Sequence, residues 1–283
     1  MFHKTSLPTR SFGNDGPRVS ALGLGGEGVL RSFGREAEAH AVIQAARDAG
    51  ITYVESARAY SGSEAYYGGA RLGPRAELFV ATKVHDRSFA GARAMLETSL
   101  RTMRLDYLDL WQFHDIREPG EVESLEDPGG AYAALVDAKA RGLVRYIGVT
   151  GHHDPAVLRA AFERVPFDAV LLPINPADGA LRDGFERSVV PAARARGMAV
   201  IGMKVYAHGL LFQTTDVTAD EALRYALAAD VDTLVVGADS TEQVAQNAAI
   251  ARAGVVMREP VRRALEARVA PGARRLAYYR GVG

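Results

Sequence analysis

The sequence predicts a (β/α)8 barrel, the TIM-barrel architecture of the α/β class, preceded by a short N-terminal hairpin. Short apolar strands alternate with amphipathic helical segments, and counting the stretch 19–24 as the first strand gives eight strands. These strands are almost continuously apolar, which is typical of a parallel sheet covered by helices. The chain has 283 residues, a common length for one such barrel. A doubly wound open sheet is the second interpretation.

Turn and capping residues set most of the element boundaries. Asn14-Asp15-Gly16 predicts the turn of the hairpin. Asp154-Pro155 predicts a helix start, and Ser240 with Gln243 predicts a capping box that begins the last helix of the barrel. The other predicted strands are 51–55, 78–83, 107–113, 144–149, 169–172, 198–203 and 233–236. The other predicted helices are 39–49, 63–67, 95–103, 131–141, 185–196 and 219–229.

Residues 1–283 are predicted to form a single domain, because no composition shift or linker interrupts the alternation. Residues 254–283 are rich in arginine and predict a C-terminal tail that packs outside the barrel or is partly disordered. Arg262-Arg263 and Arg274-Arg275 are interpreted as solvated residues of this tail.

Composition excludes several function classes. The 34 Lys and Arg balance 34 Asp and Glu, so no charge excess favours nucleic acid or an anionic membrane as a partner. The chain has no Cys, which excludes disulfides, thiolate metal sites and a cysteine nucleophile. The N-terminus has no apolar signal region and no run is long enough to span a membrane, so the expectation is a cytoplasmic enzyme. The oligomeric state stays open.

Three predicted strands end on ionisable residues, namely Glu55, Lys83 and His114, and Tyr60 follows the first of them within one loop. In a (β/α)8 barrel the carboxyl ends of the strands carry the active site. An ammonium beside a phenol favours the phenolate and lowers the phenol pKa from its usual value of about 10. Such a pair suits protonation of a carbonyl oxygen while hydride arrives from a nicotinamide.

The ordered motifs resemble those of the aldo-keto reductase family from about residue 12 to about residue 253. The family is a (β/α)8 barrel that reduces carbonyl compounds with NADPH. The stretches that carry the resemblance are 19–25 (VSALGLG), 55–57 (ESA) with Tyr60 and Ser63-Glu64, 79–83 (FVATK), 105–110 (LDYLDL) up to His114, and 147–150 (IGVT).

The resemblance implies roles for the strand-end residues. It assigns Tyr60 as general acid and base, Lys83 as the residue that lowers the Tyr60 pKa, and His114 as the residue that orients the carbonyl. Glu55 stands where the family usually has Asp. The implied substrate is a small aldehyde or ketone, or the corresponding alcohol. NADP(H) is the expected cofactor, and NAD(H) is left open.

The resemblance also implies where the cofactor would bind. The family holds it partly with a serine-led loop and helix after the last strand, here Ser240, Gln243 and Asn247. Gly26 lies among glycines after the first strand that let backbone approach a ligand closely. Several positions depart from the family pattern: Thr150-Gly151 replaces Ser-Asn, Leu171 replaces a Gln, and Met203 followed by Lys204 replaces an aromatic residue.

Two other functions remain as alternatives. One is a metal-dependent hydrolase or isomerase that holds its ion with Glu55, His114 and either His152 or His153. The run His152-His153-Asp154 is itself predicted not to bind metal, because adjacent side chains diverge and Asp154 caps a helix. The other alternative is a non-catalytic descendant that binds a nucleotide or a partner protein. The loops 117–130 and 206–216 are expected to set specificity, but the sequence does not name the substrate.

Overall fold

In a computed structural model, which describes residues 6–70, 73–254 and 257–281, eight parallel strands close into a barrel. The strand order around the barrel follows the chain, and the last strand pairs with the first. A two-stranded antiparallel hairpin precedes the barrel. The predicted fold class is therefore confirmed, and the open sheet is wrong.

The strands match the predicted ones to within a few residues, except at the start of the chain. The hairpin strands are β1 (Thr9–Ser11) and β2 (Arg18–Ser20). The barrel strands are β3 (Leu22–Gly28), β4 (Tyr53–Glu55), β5 (Phe79–Val84), β6 (Leu108–Phe113), β7 (Val144–Thr150), β8 (Ala169–Pro173), β9 (Ala199–Met203) and β10 (Thr233–Ala238). The predicted first strand, 19–24, spans two elements, because residues 18–20 pair within the hairpin and the barrel strand begins at Leu22.

Helices cover the outside of the barrel and fill several loops. They are α1 (Glu36–Asp48), α2 (Ser63–Gly69), α3 (Phe89–Met103), α4 (Pro119–Glu123), α5 (Ala131–Ala140), α6 (Pro155–Arg164), α7 (Pro176–Gly179), α8 (Phe185–Arg194), α9 (Leu210–Thr214), α10 (Ala219–Leu227), α11 (Thr241–Arg252), α12 (Glu259–Val269) and α13 (Ala273–Leu276). Within the described ranges, no helix is both long and apolar enough to cross a bilayer.

Side chains on each barrel strand alternate between two cores, as the pleat of a strand requires. Val54 and Val80 pack outward against the helices. Tyr53 and Phe79 point into the barrel and stack with ring centroids 5.1 Å apart. The hairpin closes the floor, where Phe12 lies 4.5 Å from the Phe79 ring. Side chains therefore fill the barrel interior. A ligand can bind only at the open C-terminal end of the barrel.

The C-terminal segment is folded onto the barrel. In α12, Leu265 and Val269 are buried against the α7–α10 side of the molecule. Arg262 is not a solvated residue, because it forms an ion pair of 2.6 Å with Glu186 and covers the ring of Tyr225. The described residues 257–281 therefore pack outside the barrel, which is the first of the two alternatives expected for this tail. The predictions for residues 255–256 and 282–283 lie outside the described residues.

Candidate active site

A buried ion pair occupies the first polar layer above the apolar barrel interior. Lys83 Nζ donates to Glu55 Oε1 at 2.6 Å and to the carbonyl oxygen of Ser56 at 2.9 Å. Gln112 Nε2 donates to the other Glu55 oxygen at 3.0 Å. These side chains meet because Glu55, Lys83 and Gln112 occupy the next inward positions after Tyr53, Ala81 and Leu110 on adjacent strands. Burial is the largest single effect and disfavours the charged amine, but the charges of Glu55, Tyr60 and Glu27 with the Glu55 hydrogen bond together outweigh it and raise the pKa of Lys83.

Tyr60 lies directly over this pair, in a turn after β4. Its ring centroid is 4.9 Å from Lys83 Nζ, and the Arg31 guanidinium lies 4.7 Å from the same centroid. Burial raises the pKa of the Tyr60 phenol, and the Lys83 charge acts in the opposite, predicted direction. Burial has the larger effect, so the phenol stays protonated at neutral pH. A neutral phenol beside an ammonium is a proton donor.

His114 completes the group at the end of β6. Its ring meets the Tyr60 ring edge-on, with centroids 5.9 Å apart and planes at 81°. Burial and then the positive charge of Lys83 hold the pKa of His114 well below its usual value of 6.5. The neutral imidazole has one N–H to donate, which is what orientation of a carbonyl oxygen requires. The structure therefore brings the four predicted residues to one place.

These residues face a cavity of about 630 Å³ at the C-terminal end of the barrel. Tyr60, Lys83 and His114 line its base. Charged and imidazole side chains form most of its wall: Glu27, Arg31, His85, Arg87, Asp115, Arg117, Glu121, His152, Lys204 and His208. Only Ala59 and Met203 among its lining residues have wholly apolar side chains, so most of the side chains that could orient a ligand are polar or charged.

His152 and His153 do not diverge, contrary to the prediction. Their ring centroids are 4.5 Å apart, and both rings point towards Asp115. Burial and then the positive charge of Lys204 lower the pKa of His152 to about 4. Asp154 does cap α6, since its side chain accepts from the backbone N–H of Ala156 at 2.7 Å.

A second cavity of about 460 Å³ adjoins the first and shares Glu27, Lys204 and His208 with it. It contains Gln243 and Asn247 among the residues predicted to bind cofactor. Lys204 lines both cavities, and its Nζ lies 2.9 Å from Nε2 of His208. Two joined cavities with a shared cation suit a long anionic ligand that reaches from the acid and base residues to α11.

The remaining residues predicted to bind cofactor do not all line the two cavities. Met203 and Thr150 line the first cavity. The Thr150 hydroxyl is already engaged, because it accepts from the backbone N–H of Asp115 at 2.7 Å. Ser240 lines neither cavity and caps α11. The capping box is only half formed, since the Gln243 side chain accepts from Asp239 N at 2.8 Å instead of from the backbone of the cap residue.

Two glycines are explained by packing and line neither cavity. A Cβ on Gly26 would lie 2.5 Å from the Ser63 hydroxyl oxygen, so the strand needs a bare backbone to approach α2. A Cβ on Gly151 would lie 3.2 Å from both the carbonyl oxygen of Ile116 and a methyl of Leu158. Gly26 was expected to let backbone approach a ligand. In the structure it instead lets β3 pack closely against Ser63 of α2.

The sequence profile of the aldo/keto reductase family matches residues 21–221. L-galactose dehydrogenase of Arabidopsis thaliana is 30% identical over 220 residues, which cover 73% of this chain and 68% of the relative. The chain belongs to the aldo/keto reductase family. An aldo-keto reductase of Mycolicibacterium vanbaalenii is 37% identical over 158 residues, and the match spans about half of each chain, 54% and 52%.

Solved structures of aldo-keto reductases share the fold. The enzyme from Klebsiella pneumoniae in complex with NADPH superposes with a TM-score of 0.75 at 21% identity, covering 91% of this chain and 94% of that one. The holo form of an aldo-keto reductase from Bacillus halodurans gives a TM-score of 0.73 at 23% identity, covering 92% and 96%.

The structure shows what surrounds the positions at which this chain differs from the family pattern. At Gly151, where the family pattern has Asn, a Cβ would lie 3.2 Å from atoms of Ile116 and Leu158, so a longer side chain would crowd both residues. Leu171 is fully buried in the barrel interior, so no side-chain amide stands there either. The second cavity is lined by the side-chain amides of Gln243, Gln246 and Asn247.

Several residues of this aldo-keto reductase site were not indicated by sequence motifs. Gln112 was treated as part of an apolar strand, although a polar residue two positions before His114 points to the same face. Tyr278 and Tyr279 line the cavity from the C-terminal segment. No local pattern indicated that contact, because it depends on how α12 packs.

Proposed function

We propose that this protein reduces a small polar aldehyde or ketone with NADP(H), or oxidises the corresponding alcohol. The observation that carries the proposal is the buried Lys83–Glu55 pair beneath Tyr60, with His114 edge-on to it, at the base of one cavity. Membership in the aldo/keto reductase family supports it. The metal-dependent hydrolase loses its basis, because Glu55 is engaged by Lys83 and Gln112.

Each residue has a distinct task in this proposal. Tyr60 gives its phenolic proton to the carbonyl oxygen as that oxygen gains negative charge. Lys83 stabilises the resulting phenolate, and Glu55 holds Lys83 charged and in place. His114 donates a hydrogen bond that orients the carbonyl oxygen. Bound NADPH supplies the hydride.

The residues present fit such a cofactor. Lys204 offers a cation at the junction of the two cavities, and Gln243 and Asn247 offer amide groups beside it. These three would hold the nucleotide part. The Klebsiella aldo-keto reductase was solved with NADPH, so NADP(H) is the first cofactor to test and NAD(H) the second. The Arabidopsis relative is a sugar dehydrogenase, and the polar wall of the cavity makes hydroxylated carbonyl compounds the first substrates to test.

The test combines cofactor titration with removal of one hydroxyl. NADPH and NADH are titrated into the purified protein by fluorescence, and carbonyl reduction is assayed with both. Tyr60→Phe should retain nucleotide binding and lose reduction by about 10²-fold or more, because the proton donor is gone. Tyr132→Phe is the matched control, since it removes a phenol that lines neither cavity and should retain activity.

Two outcomes would count against the proposal. Absence of saturable binding of either nucleotide at millimolar concentration would remove the redox assignment. Nucleotide binding without any reduction, unchanged by Tyr60→Phe, would instead favour the non-catalytic alternative.

A further inference from the structure

A second cluster of ionisable side chains lies beside the acid and base residues and has no part in the proposed reaction. Asp115 follows β6, and His152 and His153 follow β7. One nitrogen or oxygen from each of the three lies within 4.8 Å of the others. His152 Nε2 is 3.1 Å from Asp115 Oδ1, and His153 Nε2 is 3.5 Å from Oδ2.

The hydrogen bonds of the cluster fix which atoms carry lone pairs. His152 Nδ1 lies 2.9 Å from the carbonyl oxygen of Tyr279, which can only accept, so Nδ1 carries the proton. Nε2 is therefore the atom of this ring that can bind an ion, and it faces Asp115 Oδ1 at 3.1 Å.

Two buried atoms of the cluster lack a hydrogen-bond partner within the part of the chain that the structure describes. They are Asp115 Oδ1 and His153 Nε2. Asp115 is only 7% exposed, so an unpaired carboxylate oxygen there is costly unless a ligand satisfies it. A metal-binding histidine usually donates its other N–H to a carbonyl or carboxylate oxygen, and His152 has that arrangement with Tyr279.

We propose that Asp115, His152 and His153 bind one divalent transition-metal ion of the zinc class. Two imidazoles and one carboxylate suit Zn²⁺, Co²⁺ or Ni²⁺ better than Mg²⁺ or Ca²⁺, which prefer oxygen ligands. Ligands about 2.0–2.1 Å from a tetrahedral Zn²⁺ are about 3.3 Å apart. The observed separations run to different Asp115 oxygens, 3.1 Å to Oδ1 and 3.5 Å to Oδ2, and one ligand atom from each of the three residues lies within 4.8 Å of the others.

An ion bound here would connect three segments of the chain at the wall of the first cavity. Asp115 and His152 line the first cavity, so the ion would lie in its wall with a coordination position open to ligand. It would join the loops after β6 and β7 and, through the Tyr279 carbonyl, the C-terminal segment. Arg117 competes for the site, because its Nη2 lies 2.6 Å from Asp115 Oδ2.

The experiment uses metal alone and does not depend on enzymatic activity. Zn²⁺ is titrated calorimetrically into the full chain in a non-chelating buffer, and Co²⁺ is followed by its visible d–d absorption. One ion per chain is expected. Asp115→Asn and His153→Ala should each weaken binding by at least about tenfold. His85→Ala is the matched control, since His85 lines the same cavity outside the cluster and its loss should leave affinity unchanged.

A variant with the opposite expected effect separates metal binding from a purely structural role. Arg117→Ala removes the competing cation from an exposed side chain and should tighten Zn²⁺ binding. Circular dichroism of every variant checks that it is folded. Absence of saturable Zn²⁺ and Co²⁺ binding to the unaltered chain overturns the proposal. Binding that survives the double variant Asp115→Asn/His153→Ala also overturns it.

Discussion

At the scale of single residues, the proposed chemistry depends on the balance between burial and charge around Tyr60. Burial raises the pKa of the phenol and Lys83 opposes that rise, which leaves Tyr60 protonated at neutral pH. Reduction needs the neutral phenol, whereas alcohol oxidation needs the phenolate as a base. The two directions should therefore have different pH profiles.

The first prediction concerns those profiles. Because the Tyr60 pKa is raised above its usual value of about 10, reduction should be insensitive to its ionisation through neutral pH and fall only at strongly alkaline pH. For oxidation, kcat/KM should rise about tenfold per pH unit, as the phenolate fraction does. Both are measured as pH profiles with Tyr60→Phe as control. An oxidation plateau at neutral pH would show that Lys83 outweighs burial.

The second prediction concerns the buried ion pair. Glu55→Gln leaves Lys83, which is 1% exposed, without its counterion and should lower the free energy of unfolding by about 3–5 kcal/mol. Lys139→Ala is the control, because it breaks an equally short but exposed pair with Asp168 and should cost about 0–1 kcal/mol. Urea denaturation measures both.

A double variant tests the reason for that loss. Glu55→Gln combined with Lys83→Met removes both charges and should be more stable than Glu55→Gln alone, because no unpaired buried charge remains. Equal stabilities would mean that the cost comes from lost packing.

At the scale of elements, sequence patterns located the barrel strands and most helices because each strand is a short apolar run bounded by turn residues. They also indicated the strand-end residues Glu55, Lys83 and His114, whose convergence follows from parallel pairing. The directions of individual side chains were harder to predict from sequence patterns. The convergence of His152 and His153 depends on the path of the loop after β7, and the contribution of Tyr279 depends on long-range packing of α12.

The loop between β8 and α8 supplies a prediction of pH-dependent stability. Burial raises the pKa of Asp178 to about 7, and its Oδ2 accepts from the backbone N–H of Phe185 at 2.6 Å. A folded pKa above the unfolded value means that the folded state binds more protons. The contribution of Asp178 is therefore favourable below about pH 4 and is lost as the pH rises to about 7.

The third prediction follows from that sign. Asp178→Asn keeps an acceptor for Phe185 and removes the titration, so it should be more stable than the unaltered chain at neutral pH, by an amount on the order of 4 kcal/mol, and lose this advantage near pH 4. Asp183→Asn is a control of opposite sign, because Arg280 holds the pKa of Asp183 below its usual value. Denaturation at several pH values distinguishes them, and parallel curves for Asp178→Asn and the unaltered chain would contradict the assignment.

At the scale of the whole molecule, barrel closure joins the two ends of the described sheet, since β10 pairs with β3. Gly23 lies at this seam. A Cβ there would be 2.8 Å from a ring carbon of Tyr53 and 3.3 Å from the carbonyl oxygen of Leu234. Tyr53 has little freedom to move, because it is fully buried and stacked on Phe79. Gly23 is therefore required chiefly because the Tyr53 ring of β4 fills the space that a Cβ would occupy.

The last prediction tests that requirement. Gly23→Ala should lower the free energy of unfolding by about 1–3 kcal/mol, because the added methyl group overpacks the seam. Gly120→Ala is the matched control, since nothing lies within 4 Å of a Cβ at that position in α4 and the change should be within about 0.5 kcal/mol. Thermal and urea unfolding measure both variants. If Gly23→Ala is as stable as Gly120→Ala, the Tyr53 ring can move aside, and the position does not require glycine.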